Sequence, residues 1–276
     1  MVSWLHIISV GTSILVNYER YKASEAERLG VSGWGRASPM DPVQDVALSH
    51  ASPSSMVFQS LMKFVEENPY RASAELNAFL KYTSLSSHAP PGEVGVLLYS
   101  SDTGTGYLCS RLVYEYLRRT GYRVLAEPLR ISGLGRGPEK LDDALASLMD
   151  LVVSRIREWS GRGVKVYINA TGGFKPETTF LVIASCIAGA TAAYYIHEVF
   201  HEVTELPLPP LNLDPKLREL VKKTVSSPPA SMREFREEAE NLGLDPQELL
   251  ERKLFKTTGT GAVKPRRWLQ FITSNT

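Results

Sequence analysis

The chain has 276 residues, of which 43% are hydrophobic and 22% charged, and its formal charge is +1. This excludes a disordered, collagen-like or coiled-coil polypeptide and leaves a soluble globular protein with material for one large domain and a smaller one. The charge is unevenly placed: residues 1–210 carry 19 Lys+Arg against 21 Asp+Glu, residues 211–276 carry 12 against 9, and the six charges from Arg252 onward are all basic.

Short apolar runs at Trp4–Val10, Val94–Tyr99, Val164–Ile168 and Ala192–Ile196 read as buried parallel strands, with Tyr122–Ala126 as a weaker fifth. A Gly/Ser/Pro-bearing connection follows the first, and then helices are expected over Ser55–Glu67 and Ser73–Tyr82. Leu108, Leu112, Val113, Tyr116 and Leu117 mark one face of a helix over Gly106–Thr120. Leu141, Leu145, Leu148, Val152 and Ile156 do the same over Leu141–Trp159, and Pro176 opens a helix to Ala188. Thr178–Ile196 contains no charge over 19 residues, long enough to cross a bilayer, but it divides at Gly189 into a helix and a strand. Strands alternating with helices predict a doubly wound, Rossmann-like parallel sheet.

LPLPPLNLDP, residues 206–215, reads as a linker between a domain over 1–205 and a small one over 216–276. In the latter, helices are expected over Pro215–Val225, Ser231–Leu242 and Asp245–Leu254, and after a Gly/Thr turn a basic, hairpin-like tail. That order suits a winged-helix module and equally a helical dimerisation appendage. The two cysteines, Cys109 and Cys186, form no disulfide or zinc pattern, and MVSWLHIISV lacks the marks of a leader, so a cytoplasmic setting is expected.

Ligands of an open parallel sheet sit beyond the carboxyl ends of its strands. Three turns there are rich in small polar residues: Gly11-Thr12-Ser13 with Asn17 beyond it, Ser100 to Gly106 with Ser101, Asp102 and Thr103, and Asn169 to Lys175 with Thr171, Gly172 and Gly173. Glycines admit close approach, helix starts present N–H groups to an anion, and Lys175 adds a cation, which together favour a phosphate-bearing ligand. Asp102 reads as a helix N-cap or a ribose or base acceptor. Arg130 and Arg136 could belong to a lid. No P-loop occurs, and Gly133-Leu134-Gly135-Arg136-Gly137 lacks the spacing of a dinucleotide fingerprint. His197 and His201 have no partners that complete a metal set, His6 reads as a satisfied core residue, and His50 and His88 lie in loops.

GTS at 11–13, SSDTGTG at 100–106 and NATGGFKPE at 169–177 resemble the archaeal CRISPR-associated proteins built on a CARF domain, the sensor of cyclic oligoadenylate messengers. The resemblance covers about residues 1–205, and the C-terminal part is similar, less specifically, to the winged-helix extension some of these proteins carry. Many CARF effectors end in a HEPN ribonuclease with an R-x4–6-H site, which is not expected in this C-terminal segment because no histidine follows His201 in it. The resemblance therefore implies a ring nuclease, with Ser13 and Lys175 at the positions of that family's catalytic serine and lysine. It implies a homodimer that binds cyclic tetra-adenylate and cleaves it without metal or cofactor through the ribose 2′-hydroxyl. The other reading is a messenger-responsive DNA-binding regulator, with Lys264, Arg266 and Arg267 beside the predicted helices.

Overall fold

In a computed structural model of the chain, residues 2–85, 87–134, 138–173, 175–197, 202–229 and 231–274 are described. The central sheet is built from β1 (Trp4–Val10), β2 (Val94–Ser101), β3 (Arg123–Val124), β4 (Leu129–Ile131), β5 (Lys165–Asn169), β6 (Ala192–Ile196) and β7 (Val203–Leu206). In space the order is β3-β2-β1-β5-β6-β7, with β4 pairing β2 beyond β3. All pairs are parallel except β6–β7. The fold is thus the doubly wound, Rossmann-like α/β architecture the sequence predicts.

Alternation along β1 divides the core. Ile8 and Val10 face one layer, formed by α1 (Ser13–Tyr21), α2 (Ala23–Leu29), α3 (Val43–Ser49), α4 (Met56–Glu67), α5 (Pro69–Ala72), α6 (Ala74–Thr83) and α7 (Gly104–Arg119). Leu5 and Ile7 face the other, where α8 (Pro138–Ser160) contributes Leu148, Val152 and Ile156, and α9 (Lys175–Ala188) contributes Leu181 and Ala184. Both faces of β1 are covered, which is why it reads as an unbroken apolar run.

Three differences from the sequence reading have local causes. The connection after β1 holds three short helices, α1 to α3, of seven to nine residues each. The edge run at Tyr122–Ala126 is ordered as strand only at Arg123–Val124, and pairing with β2 resumes at Leu129–Ile131 beyond Pro128, which has no N–H to give a ladder. The charge-free stretch does divide at Gly189, whose φ of +80° ends α9 before β6 begins. Among the described residues no helix is long and apolar enough to cross a membrane.

The C-terminal part comprises α10 (Pro215–Ser226), α11 (Met232–Asn241), α12 (Pro246–Glu251), the hairpin β8 (Phe255–Thr257) and β9 (Val263–Pro265), and α13 (Arg267–Ser274). The side chains of Ser231 and Asp245 cap α11 and α12, as their positions predict. Phe235, Leu249, Phe255, Val263 and Leu269 form a core of their own with Leu217, Leu220 and Val221 of α10. The tail is more than a hairpin, because it continues into α13, which packs against α8 of the large domain. The linker is also not free, since Leu206, Leu208 and Leu213 pack on the core beside α8 and α9.

Candidate functional site

The chain passes from β1 outward through β2 to β3 and β4, then returns to place β5 on the other flank of β1. The crevice above β1 and β5 is therefore the switch point of the sheet, where ligands of such folds bind. The GTS turn leaves β1 there and the N-A-T-G-G turn leaves β5, so the two predicted loops are neighbours. They touch: a Cβ built on Gly11 would lie 3.0 Å from the Gly173 nitrogen. The 100–106 turn leaves β2 on the other side of β1, at the same end of the sheet.

Two buried carboxylates hold this end together, and neither was expected from the sequence. Glu75, in the first turn of α6 and 1% exposed, accepts the Gly11 N–H at 2.8 Å, the Ser13 hydroxyl at 2.6 Å and the Ser73 hydroxyl at 2.7 Å. Glu177, in the first turn of α9 and wholly buried, accepts the Ser9 hydroxyl at 2.5 Å. A helix start favours negative charge, which helps both to remain where they are. The Gly172-Gly173 turn straddles the sheet between them. A Cβ on Gly172 would lie 2.0 Å from Glu75 Oε1, and one on Gly173 2.3 Å from Ser9 Oγ. Gly173 also has φ +99°, a conformation that side chains disfavour.

The sequence carried a sign of both carboxylates. Glu75 lies on the inward stripe of α6 with Ala78, Phe79 and Tyr82, and Glu177 on that of α9 with Leu181, Ala184 and Ser185. An acid within an apolar helical face must find partners, because burying it alone is costly.

Of the predicted residues, Gly11, Ser13 and Gly172 converge on Glu75, Gly173 lies against Ser9 beside Glu177, and half-buried Ser13 begins α1. Lys175 is exposed at the first residue of α9, two positions beyond Gly173. Others are tied to the protein itself. Thr12 donates its hydroxyl to the Gly35 carbonyl at 2.8 Å, and Asn17 donates to the Ala72 carbonyl at 3.2 Å. Asn169, fully buried, donates to the Glu75 carbonyl at 2.9 Å and accepts the Thr171 N–H at 3.1 Å, while Thr171 Oγ1 accepts the Ile196 N–H at 3.2 Å. These build the floor on which the turns rest.

In the β2 turn the N-cap is Thr103 and not Asp102: Thr103 Oγ1 accepts the Gly106 N–H at 3.1 Å and pairs with Ser101 Oγ at 2.9 Å. Gly106 must lack a side chain, since its Cβ would sit 2.8 Å from Thr103 Oγ1. Asp102 instead accepts Arg130 Nη2 at 2.8 Å and the Gly133 N–H at 3.2 Å, so it anchors the loop that follows β4. Arg136 lies outside the described residues, as does His201. Cys109 is fully buried in α7, and its thiol is pushed well up by burial and by nearby Glu75.

A second buried network joins the floor to the opposite rim. His88 Nδ1 lies 2.8 Å from the Ala89 carbonyl, which can only accept, so Nδ1 carries the proton and Nε2 of neutral His88 is bare. His6 Nε2 must then donate to it across 3.0 Å, and His6 Nδ1 accepts the Tyr194 hydroxyl at 2.9 Å. Tyr82 stacks on Tyr194 with ring centroids 4.1 Å apart, and its hydroxyl donates to Glu205.

Burial and then the nearby His88 hold His6 well below its ordinary pKa of 6.5, and burial lowers His88 as well. The unfolded chain therefore takes up protons near pH 6.5 that the folded chain refuses. Stability should be full above about pH 6.5 and fall as pH drops below it, by about 1.4 kcal/mol per pH unit for His6. Denaturant unfolding at pH 7.5 and 5.5 checks this, and His6→Gln should flatten the slope by about one proton. An equal slope in the variant would show that His6 is protonated in the folded chain.

The two turns, the buried acid between them and the exposed lysine lie together at the carboxyl end of a doubly wound sheet. Residues 70–209, which include Glu75, Asp102 and the whole turn from Asn169 to Lys175, match the model of a CRISPR-associated protein (Cas_APE2256), and since that stretch is more than half of the chain, the protein belongs to this CRISPR-associated family.

Proposed function

We propose that the protein is a ring nuclease: a CARF-type domain that binds cyclic tetra-adenylate at the switch-point mouth of a homodimer and cleaves it without a metal or cofactor. The observation that carries this reading is the meeting of the Ser13 turn with the turn that leads to Lys175, from adjacent strands of one sheet. CRISPR-associated family membership supports it. A 3′–5′ ribo-phosphodiester brings its own nucleophile. The 2′-oxygen bonds to phosphorus as the bond to the 5′-oxygen breaks. The 2′-proton is lost, the 5′-oxygen gains one, and a 2′,3′-cyclic phosphate remains. Two such cuts turn the ring into two linear di-adenylates. Holding the 2′-oxygen in line supplies the proximity term, and the ammonium of Lys175 with the N–H groups of the turns would stabilise charge growing on the phosphorane.

A second reading, a messenger-gated DNA-binding regulator, is favoured by the order of three helices and a hairpin with exposed Lys256 and Lys264. The charge of α11 and α12 weighs against it. Residues 232–251 carry Arg233 and Arg236 against Glu234, Glu237, Glu238, Glu240, Asp245, Glu248 and Glu251, and phosphate backbones repel such a surface. Incubation with cyclic tetra-adenylate in EDTA tests the choice. Linear di-adenylate is the expected product. An intact ring after long exposure to excess protein overturns the nuclease reading, and a ring-dependent gel shift of duplex DNA in that same mixture would favour the regulator.

A further inference from the structure

The carboxylate of Glu75 determines what Ser13 can offer a ligand. A hydroxyl has one proton and two lone pairs. Ser13 gives its proton to Glu75 Oε2 at 2.6 Å, and one lone pair takes the Ala74 N–H at 3.2 Å. A single lone pair is left for the mouth. Glu75 is not free to turn aside, because Gly11 and Ser73 also donate to it and the backbone of Gly172 packs against its carboxyl group. Phosphate oxygens accept hydrogen bonds and cannot donate to that lone pair, whereas a ribose 2′-hydroxyl can.

We infer that Glu75 is a positioning residue: it fixes the polarity of the Ser13 hydroxyl so that Ser13 receives the 2′-O–H of the ring and does not bind its phosphate. This rests on the ring-nuclease reading and deepens it, since it selects ribose over deoxyribose at the cleaved linkage. The negative charge behind Ser13 also makes its oxygen a stronger acceptor than a solvated serine would be. The 2′-oxygen is thereby held on the Ser13 side of the mouth, leaving the phosphate to Lys175 and the backbone.

The test compares affinities of the full-length protein for cyclic tetra-adenylate, read by stopped flow in the first seconds of mixing, and for the 2′-deoxy ring, read by titration. Wild type should prefer the ribo ring by about fivefold to tenfold, the worth of one retained hydrogen bond. Ser13→Ala should abolish that preference. Glu75→Gln, whose amide nitrogen can donate to Ser13 and reverse its polarity, should abolish it too while binding the deoxy ring within about twofold of wild type. A merely structural role for Glu75 would weaken both rings alike, and that result overturns the inference. So does equal binding of both rings by wild type, or a full preference retained in either variant. Should Glu75→Gln fail to fold, Ser13→Ala still decides whether Ser13 receives the 2′-hydroxyl, and a ribo preference retained in it overturns the inference. Failure of wild type to bind either ring would instead sink the ring-nuclease reading, and the inference with it.

Discussion

Lys175→Ala should slow cleavage of cyclic tetra-adenylate by about 10²- to 10³-fold while leaving affinity within a few-fold of wild type. Lys175 stands at the first residue of α9, where the positive end of the helix disfavours a cation, and it is exposed beside the Gly172-Gly173 turn. No packing or capping need explains a lysine there. On the ring-nuclease reading a phosphorane does, because its charge grows as the 2′-oxygen attacks and is larger in the transition state than in the bound ring. Single-turnover cleavage followed by chromatography measures the rate, and titration with the 2′-deoxy ring measures binding. A variant that cleaves at the wild-type rate would remove the ammonium from the reaction. One that merely stops binding would make it an anchor.

Gly172→Ala should both destabilise the fold and disable the mouth. The new methyl would lie 2.0 Å from Glu75 Oε1 and 2.5 Å from its Cδ, far inside contact distance. Relief requires either that the carboxylate move, giving up its bonds from Gly11, Ser13 and Ser73, or that the turn lift off Gly11. Either route costs about 2–3 kcal/mol, and for a chain of this size that lowers the unfolding midpoint by roughly 5–10 °C. Thermal unfolding followed by circular dichroism checks it. A wild-type midpoint would mean that Glu75 is not held against the turn.

The strands were the most legible part of the chain. β1 and β6 coincide with apolar runs because a strand covered on both faces has no polar side to interrupt it. α1, α2 and α3 were hidden, since each is too short to repeat an apolar stripe, and Gly33, Pro39 and Pro42 break the segment between α2 and α3. The turns that carry Ser13 and Lys175 could be picked out by composition. The acid behind them could not: Glu75 shows itself only as a carboxylate on an inward face, and its partners come from turns more than sixty residues away in either direction. Likewise Asp102 and Thr103 are both good cap residues. The choice between them is made by Arg130, which claims the aspartate from another strand.

The seated acids also bear on selectivity. A mouth that already contains the negative charges of Glu75 and Glu177 offers little net attraction to a single phosphate group, so free mononucleotides would gain little by entering it. On the ring-nuclease reading, a cyclic ligand reaching the lysines of two protomers at once adds their weak pulls through multivalency. Internal repulsion would then act as a filter, passing a ring whose separate phosphates reach both lysines while a nucleotide that reaches only one of them gains too little to stay.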